Sequence, residues 1–286
     1  MGLNSAGMMA MWVGDLDVAE QRLSKAVQLA EESGFDLGIS MGHFSYGVNF
    51  INQGRDREGH AYLSSAAERF DQIGDEWNKA NCLVHLANAS LGLGQLKQAE
   101  AWLREAEPIA RRVGDPWQIA FCLNNYGEVA RTAGDYEHAR SYYEQSEVLY
   151  RAADAQGDHA RLIHTLGYMA LHDGDLDRAG QLFRDSLAAF RKLGTKRGMA
   201  ECIGGIAAVA AMRGSASWAA PLMAAADAQI TASGAAWWPA DRVEVERTRR
   251  HLREALGDRD FARLWAEGER MSLEEAVSWI GDMRAD

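Results

Sequence analysis

Six glycines, Gly14, Gly54, Gly94, Gly134, Gly174 and Gly214, follow one another at intervals of 40 residues without an insertion. A fixed period over most of a chain admits few folds, because each unit must bury its apolar face on the next and the result is a stack. Five residues beyond each glycine stands a small one: Ala19, Gly59, Ala99, Ala139, Ala179, Ala219. Four further on comes a large one, Leu23, Leu63, Leu103, Tyr143, Phe183 or Met223, and three more gives Ala26, Ala66, Ala106, Ser146, Ser186 or Ala226. Steps of four and three trace one face of a helix. Asp15, Asp56, Asp135, Asp175 and Ser215 stand within two residues of their glycines as caps for it.

Half a period away a second helix follows. Gly34, Gly74, Gly114, Gly194 and Gly234 end the first, Asp75 and Asp115 are placed to cap the second, and Pro116 occupies a first helical position, where a missing N–H costs nothing. Inside it, Leu83, Leu123, Ile163 and Ile203 share a column. Tyr46, Leu86, Tyr126, Leu166 and Ile206 share another, each followed by Gly47, Ala87, Gly127, Gly167 or Ala207. A small residue beside a large one lets two helix backbones approach closely. The columns predict antiparallel helix pairs in which this latter helix is the first of each pair, opened by Trp77, Trp117 and Trp237.

These residues resemble the tetratricopeptide repeat. Leu123, Tyr126, Gly127, Ala139, Tyr143 and Ser146 match its signature in one unit, and Ile163, Leu166, Gly167, Ala179, Phe183 and Ser186 in the next. The resemblance implies an all-α, right-handed α-solenoid of about six long helix hairpins over residues 1–239, closed by a helical cap over 240–286. In the cap, Arg247 takes the Gly/Ala column, Gly257 and Asp258 restart a helix, and Ser272 with Glu275 forms a capping box. Leu3, Ala6 and Gly7 fall in first-helix columns, so the chain starts inside a repeat, as an excised piece or late start of a longer protein would.

The run Gly7-Met8 to Gly14-Asp15, the central Asn124-Asn125-Tyr126-Gly127, and the ending Leu256-Gly257-Asp258 to Ala276-Val277 carry a second resemblance. They are similar to the carboxy-terminal repeat region of LuxR-type and MalT-like bacterial signalling ATPases. That resemblance implies a sensor or scaffold arm working with an ATPase and a DNA-binding module that this sequence lacks.

Composition narrows the setting. A formal charge of −11 speaks against a protein that coats nucleic acid. Cys82, Cys122 and Cys202 contain no C-x-x-C pair, which excludes a disulfide framework and a structural zinc cluster; they share a column and read as buried small residues. Met1–Trp12 has no positive residue ahead of its apolar stretch, and the longest apolar run, Cys202–Met212, is about half a membrane span. A cytoplasmic protein with no membrane contact is expected.

Chemistry is sparse. The sequence has no phosphate-cradling G-x-x-x-x-G-K-[ST], no H-E-x-x-H and no G-x-S-x-G. Gly204-Gly205 lies mid-helix, where close packing explains it. His164 and His172, eight residues apart, stand about 12 Å apart along a helix, too far for one metal ion. No catalytic residue, cofactor or metal is expected. An enzyme built on His164, Tyr168 and Glu128 is the least favoured reading.

In the family, the first helix of each pair lines the concave side. The corresponding columns give His85 and Asn88, then Asn124, Asn125, Glu128 and Arg131, then Arg161, His164, Tyr168 and His172. Asparagine carries a donor and an acceptor together, suited to an extended peptide backbone. Arg131 and Arg161 suit a carboxylate. Asn88, Asn125 and Arg161 match places used by repeat domains that clamp a chaperone's terminal carboxylate, whereas Val84 and Thr165 do not, which leaves a generic peptide groove. The leading expectation is a non-enzymatic module binding a protein or peptide. The alternative is a sensor of a small inducer held by Asn124, Glu128, Arg161 and Tyr168.

Overall fold

The computed structural model describes residues 2–282, which form fourteen helices with no strand among them. The all-α solenoid of paired helices read from the repeat is the fold observed. By compactness the chain divides into a first unit, residues 1–155 with 234–240, and a second, 156–233 with 241–286.

The first unit contains α1 (Gly2–Val13), α2 (Leu16–Ser33), α3 (Asp36–Asn52), α4 (Asp56–Gln72), α5 (Glu76–Gly92), α6 (Leu96–Val113), α7 (Pro116–Thr132) and α8 (Tyr136–Ala152). Each odd-numbered helix packs on the even one that follows it. In addition α1, α3, α5 and α7 touch in succession and make one layer. The second unit contains α9 (Gln156–His172), α10 (Leu176–Leu193), α11 (Lys196–Met212), α12 (Ala216–Ala232), all of α13 (Pro239–Gly268) beyond Ala240, and α14 (Leu273–Asp282). α9 touches α11 directly, and α14 packs on α11 and α12.

The forty-residue period is a period of turns. Gly14, Gly54, Gly94, Gly134, Gly174 and Gly214 all have φ between 72° and 86°, and Gly34, Gly74, Gly114 and Gly194 also adopt the left-handed conformation. This closes a helix end: Gly54 N–H donates to the Ile51 carbonyl at 2.9 Å and Arg55 N–H to the Phe50 carbonyl at 2.8 Å. At the matching place between α8 and α9, where the series has no glycine, Asp154 takes φ 51°, a conformation short polar side chains tolerate.

Side-chain caps then start the next helix. Asp15 accepts from Val18 N–H at 3.1 Å, Asp75 from Asn78 N–H at 3.0 Å, and Asp135 from His138 N–H at 3.2 Å. Asp115 and Asp175 cap in the same way. Two expected caps do not hold. Asp56 is the first residue of α4, with Arg55 as N-cap, and its buried carboxylate lies against Gly92. Ser215 stands at the N-cap of α12 without a side-chain cap bond.

Packing follows the columns. Leu23, Leu63, Leu103, Tyr143, Phe183 and Met223 are fully buried. The small residues are notches for them. A Cβ on Gly47 would lie 2.7 Å from Leu63, one on Gly127 2.4 Å from Tyr143, and one on Gly205 2.4 Å from Phe183. No real side chain tolerates such contacts, so packing accounts for Gly205. Cys82, Cys122 and Cys202 are buried thiols, and loss of hydration pushes Cys122 up to about 12.

At the carboxyl end α13 is two helices meeting at Gly257 (φ 74°, ψ 158°). Ser272 and Glu275 form the predicted capping box, with Ser272 N–H donating to Glu275 Oε2 at 2.7 Å and Glu275 N–H to Ser272 Oγ at 3.2 Å. Arg247 is exposed. Trp237 departs from expectation: it opens no helix but lies in a non-helical segment, residues 235–238. The cause is local, because a residue followed by a proline is held extended and Pro239 itself suits a helix start. Among the described residues no helix is long and apolar enough to cross a membrane.

Candidate functional site

In the first unit the layer of α3, α5 and α7 carries an aromatic ladder. Phe44 on α3 meets the His85 ring edge-on with centroids 5.5 Å apart, and His85 meets Phe121 at 5.2 Å. Phe121 stacks on Trp117 at 5.3 Å, and Trp117 on Trp77 at 5.9 Å. Phe44, His85 and Phe121 lie about one period apart on equivalent helices, as do Trp77 and Trp117, and one turn of α7 joins Trp117 to Phe121. Asp115 fixes the end of the ladder, accepting from Trp77 Nε1–H at 2.7 Å while capping α7.

His85 is enclosed by these rings, and loss of hydration lowers its pKa to about 4, so it is neutral at pH 7. Its Nδ1 is buried without a hydrogen-bond partner, and so is Asn124 Oδ1 on α7. Asn88 is buried on α5. Asn125 is also buried, but its amide donates to the carbonyl of Phe121 in its own helix at 2.8 Å. Arg131 pairs with Glu128 at 2.9 Å, and Glu128 also accepts from Tyr143 Oη at 3.1 Å.

The candidates on α9 are arranged differently. Arg161 binds Glu201 of α11 and, at 3.0 Å, Asp241 of α13; Arg197 binds Glu201 at 3.0 Å. Glu201, Asp241 and His164 are buried, and His164 Nδ1 lies 4.0 Å from Asp241. Burial pulls Arg197 below its usual range, against the opposing pull of Glu201. Two guanidinium groups and two carboxylates balance. Arg161, expected to be open to a ligand's carboxylate, is already held by two carboxylates of its own chain. His164 packs edge-on to Tyr168 at 5.0 Å and to Phe183 at 5.4 Å. His172, at the end of α9, is exposed.

The structure therefore gathers His85, Asn88, Asn124, Asn125, Glu128 and Arg131 in the first unit. It places Arg161, His164, Tyr168 and His172 in the second. Sequence reasoning missed Phe44 and Val48, since the groove columns were read only from α5 onward. It also missed Glu201 as a partner, although Arg161 and Glu201 stand one period apart in the same column. Asp241 lies two periods from Arg161 and past a break in the repeat, where no column pointed to it.

Residues 79–152 match the model of the tetratricopeptide repeat family. No curated protein matches the sequence significantly. Solved structures share the fold. A Rap protein complexed with competence and sporulation factor is 13% identical, with a TM-score of 0.65 over 92% of this chain and 75% of that one. NprR in complex with its cognate peptide NprX is 16% identical, with a TM-score of 0.64 over 99% and 87%. A signal transduction ATPase with a tetratricopeptide repeat sensor from Pyrococcus horikoshii is 13% identical, with a TM-score of 0.55 over 94% of this chain and 40% of that one. The tetratricopeptide repeats that the family model covers thus run from α5 to the end of α8.

Proposed function

We propose that this chain is a non-enzymatic module that binds a protein or peptide on the wall formed by α3, α5 and α7. It serves as the sensor or scaffold arm of a cytoplasmic bacterial signalling or transcriptional regulator whose ATPase and DNA-binding parts lie elsewhere. Residues 1–239 supply the repeats and 240–286 the cap. The observation that carries this reading is the pair of buried, unpartnered polar atoms on neighbouring helices of the wall, His85 Nδ1, whose ring lies between Phe44 and Phe121, and Asn124 Oδ1 on α7. An unsatisfied buried polar atom costs free energy, and a ligand's backbone groups would recover it. Two solved structures of this fold, those of the Rap protein and NprR, hold a peptide or factor, which supports the same reading.

The inducer reading draws less support, because Arg161 is already held by Glu201 and Asp241. Binding of the full chain to an array of unstructured peptides tests the proposal. Micromolar ligands are expected, weakened about tenfold by Asn124→Ala, the loss of one hydrogen bond to a buried group. Failure of every peptide, alongside a thermal shift with a metabolite, would replace this reading with the inducer one.

A further inference from the structure

From the end of α12 into the start of α13 the chain runs through residues 234–240, which belong to the first unit although both flanks belong to the second. Gly234 enters beside the start of α2, where a Cβ would lie 3.4 Å from Asp17 Oδ1. Ala236 N–H donates at 2.9 Å to the carbonyl of Asn52, the last residue of α3. Such a carbonyl has no partner within its own helix, and the backbone of this segment satisfies it. Trp237 is only 9% exposed despite sitting in a coil segment. Trp238 packs against the core cluster that includes Ile51, Val84 and Cys122, whose rim also holds Phe44, Val48 and Phe121.

An extended peptide would use the same means: one backbone hydrogen bond to the end of α3, one aromatic side chain, Trp238, on the core cluster, a second, Trp237, buried beside it in sequence, and a proline that holds Trp238 extended. The wall suits that chemistry, since its rungs are aromatic and Arg131 is matched by Glu128. We propose that residues 234–240 are a built-in occupant of the α3 end of the peptide-binding wall, one that leaves His85 Nδ1 and Asn124 Oδ1 unmet. The external partner is then an extended peptide with two adjacent bulky aromatic side chains that takes their place. The inference rests on the reading of this wall as a peptide site and names the partner's class and the competitor it must displace.

The tethered segment competes at a high effective concentration, so a free peptide binds the wild-type chain weakly. The test uses a fluorescently labelled synthetic peptide of residues 233–241 and the full chain carrying both Trp237→Ala and Trp238→Ala. Fluorescence anisotropy is expected to show at least tenfold tighter binding to the double variant than to wild type. A control peptide with both tryptophans replaced by alanine should not bind. Trp238→Leu, which keeps most of the buried volume, secures the result if the double variant does not fold; at least a threefold gain is expected there. Equal binding by a folded variant and wild type overturns the inference. If other peptides on the array still bind and respond to Asn124→Ala, the peptide-site reading survives that failure; if none binds, both fall.

Discussion

The wall of α3, α5 and α7 and the junction of α9, α11 and α13 derive from the same repeat columns, yet they solve burial in opposite ways. The first encloses a neutral imidazole among rings and leaves polar atoms of His85 and Asn124 without partners. The second encloses charge and matches it, guanidinium to carboxylate. A matched set is costly to break and offers little to a newcomer, whereas an unmatched one gains from a ligand. Position in a repeat column therefore does not by itself make a binding residue; what the neighbouring repeat places opposite it decides.

Four changes separate the two regions. The largest effect is expected from Asp241→Ala, which leaves Arg161 with one carboxylate where it had two. Breaking a buried pair typically costs about 3–5 kcal/mol, to be read as a lower urea midpoint. Loss within the scatter of surface substitutions would show that the cluster is hydrated. The first region should answer to acid instead. The folded pKa of His85, about 4, lies below its ordinary 6.5, so the unfolded chain takes up the proton first. Stability is then full above pH 6.5 and falls as pH drops toward 4, by roughly 3 kcal/mol from this residue alone. His43 and His60, also lowered chiefly by burial, act in the same direction. Urea titrations at pH 7 and pH 4 should show that His85→Phe removes the His85 share of this slope while the remainder persists.

Gly205→Ala places a methyl group against Phe183, and an overpacked core of this kind loses about 1–3 kcal/mol. The thermal midpoint should fall, and Phe183→Leu in the same chain should restore part of it. Asp75→Ala removes the cap of α5 in the first unit, at about 1 kcal/mol. The peptide affinities of the wall should stay unchanged, which distinguishes a helix-end defect from a defect in the site.

Most of the fold was legible because its determinants are local and periodic. Glycines that must turn left-handed, aspartates that cap, and notches facing large residues all recur at one spacing. Where the period slips, the reading slipped with it. Asp56 stands one residue later than the capping aspartates, and Trp237 keeps its column but loses its helix to Pro239. The candidate site was less legible. The columns named the residues facing the wall but not what meets them, and Arg161 is satisfied by Asp241 from 80 residues away. The aromatic rungs at Phe44 and Phe121 are visible as letters, but their enclosure of His85 follows only from the packing of three helices.

Phe183 touches the notch of Gly167 in its own hairpin and that of Gly205 in the next. One ring thus locks three helices, and the residues that admit it are encoded in different repeats. Shuffling single hairpins between such arrays, by recombination or by design, would separate a wedge from one of its slots. Modules of this chain should therefore exchange only when cut so that residues 167, 183 and 205 travel together.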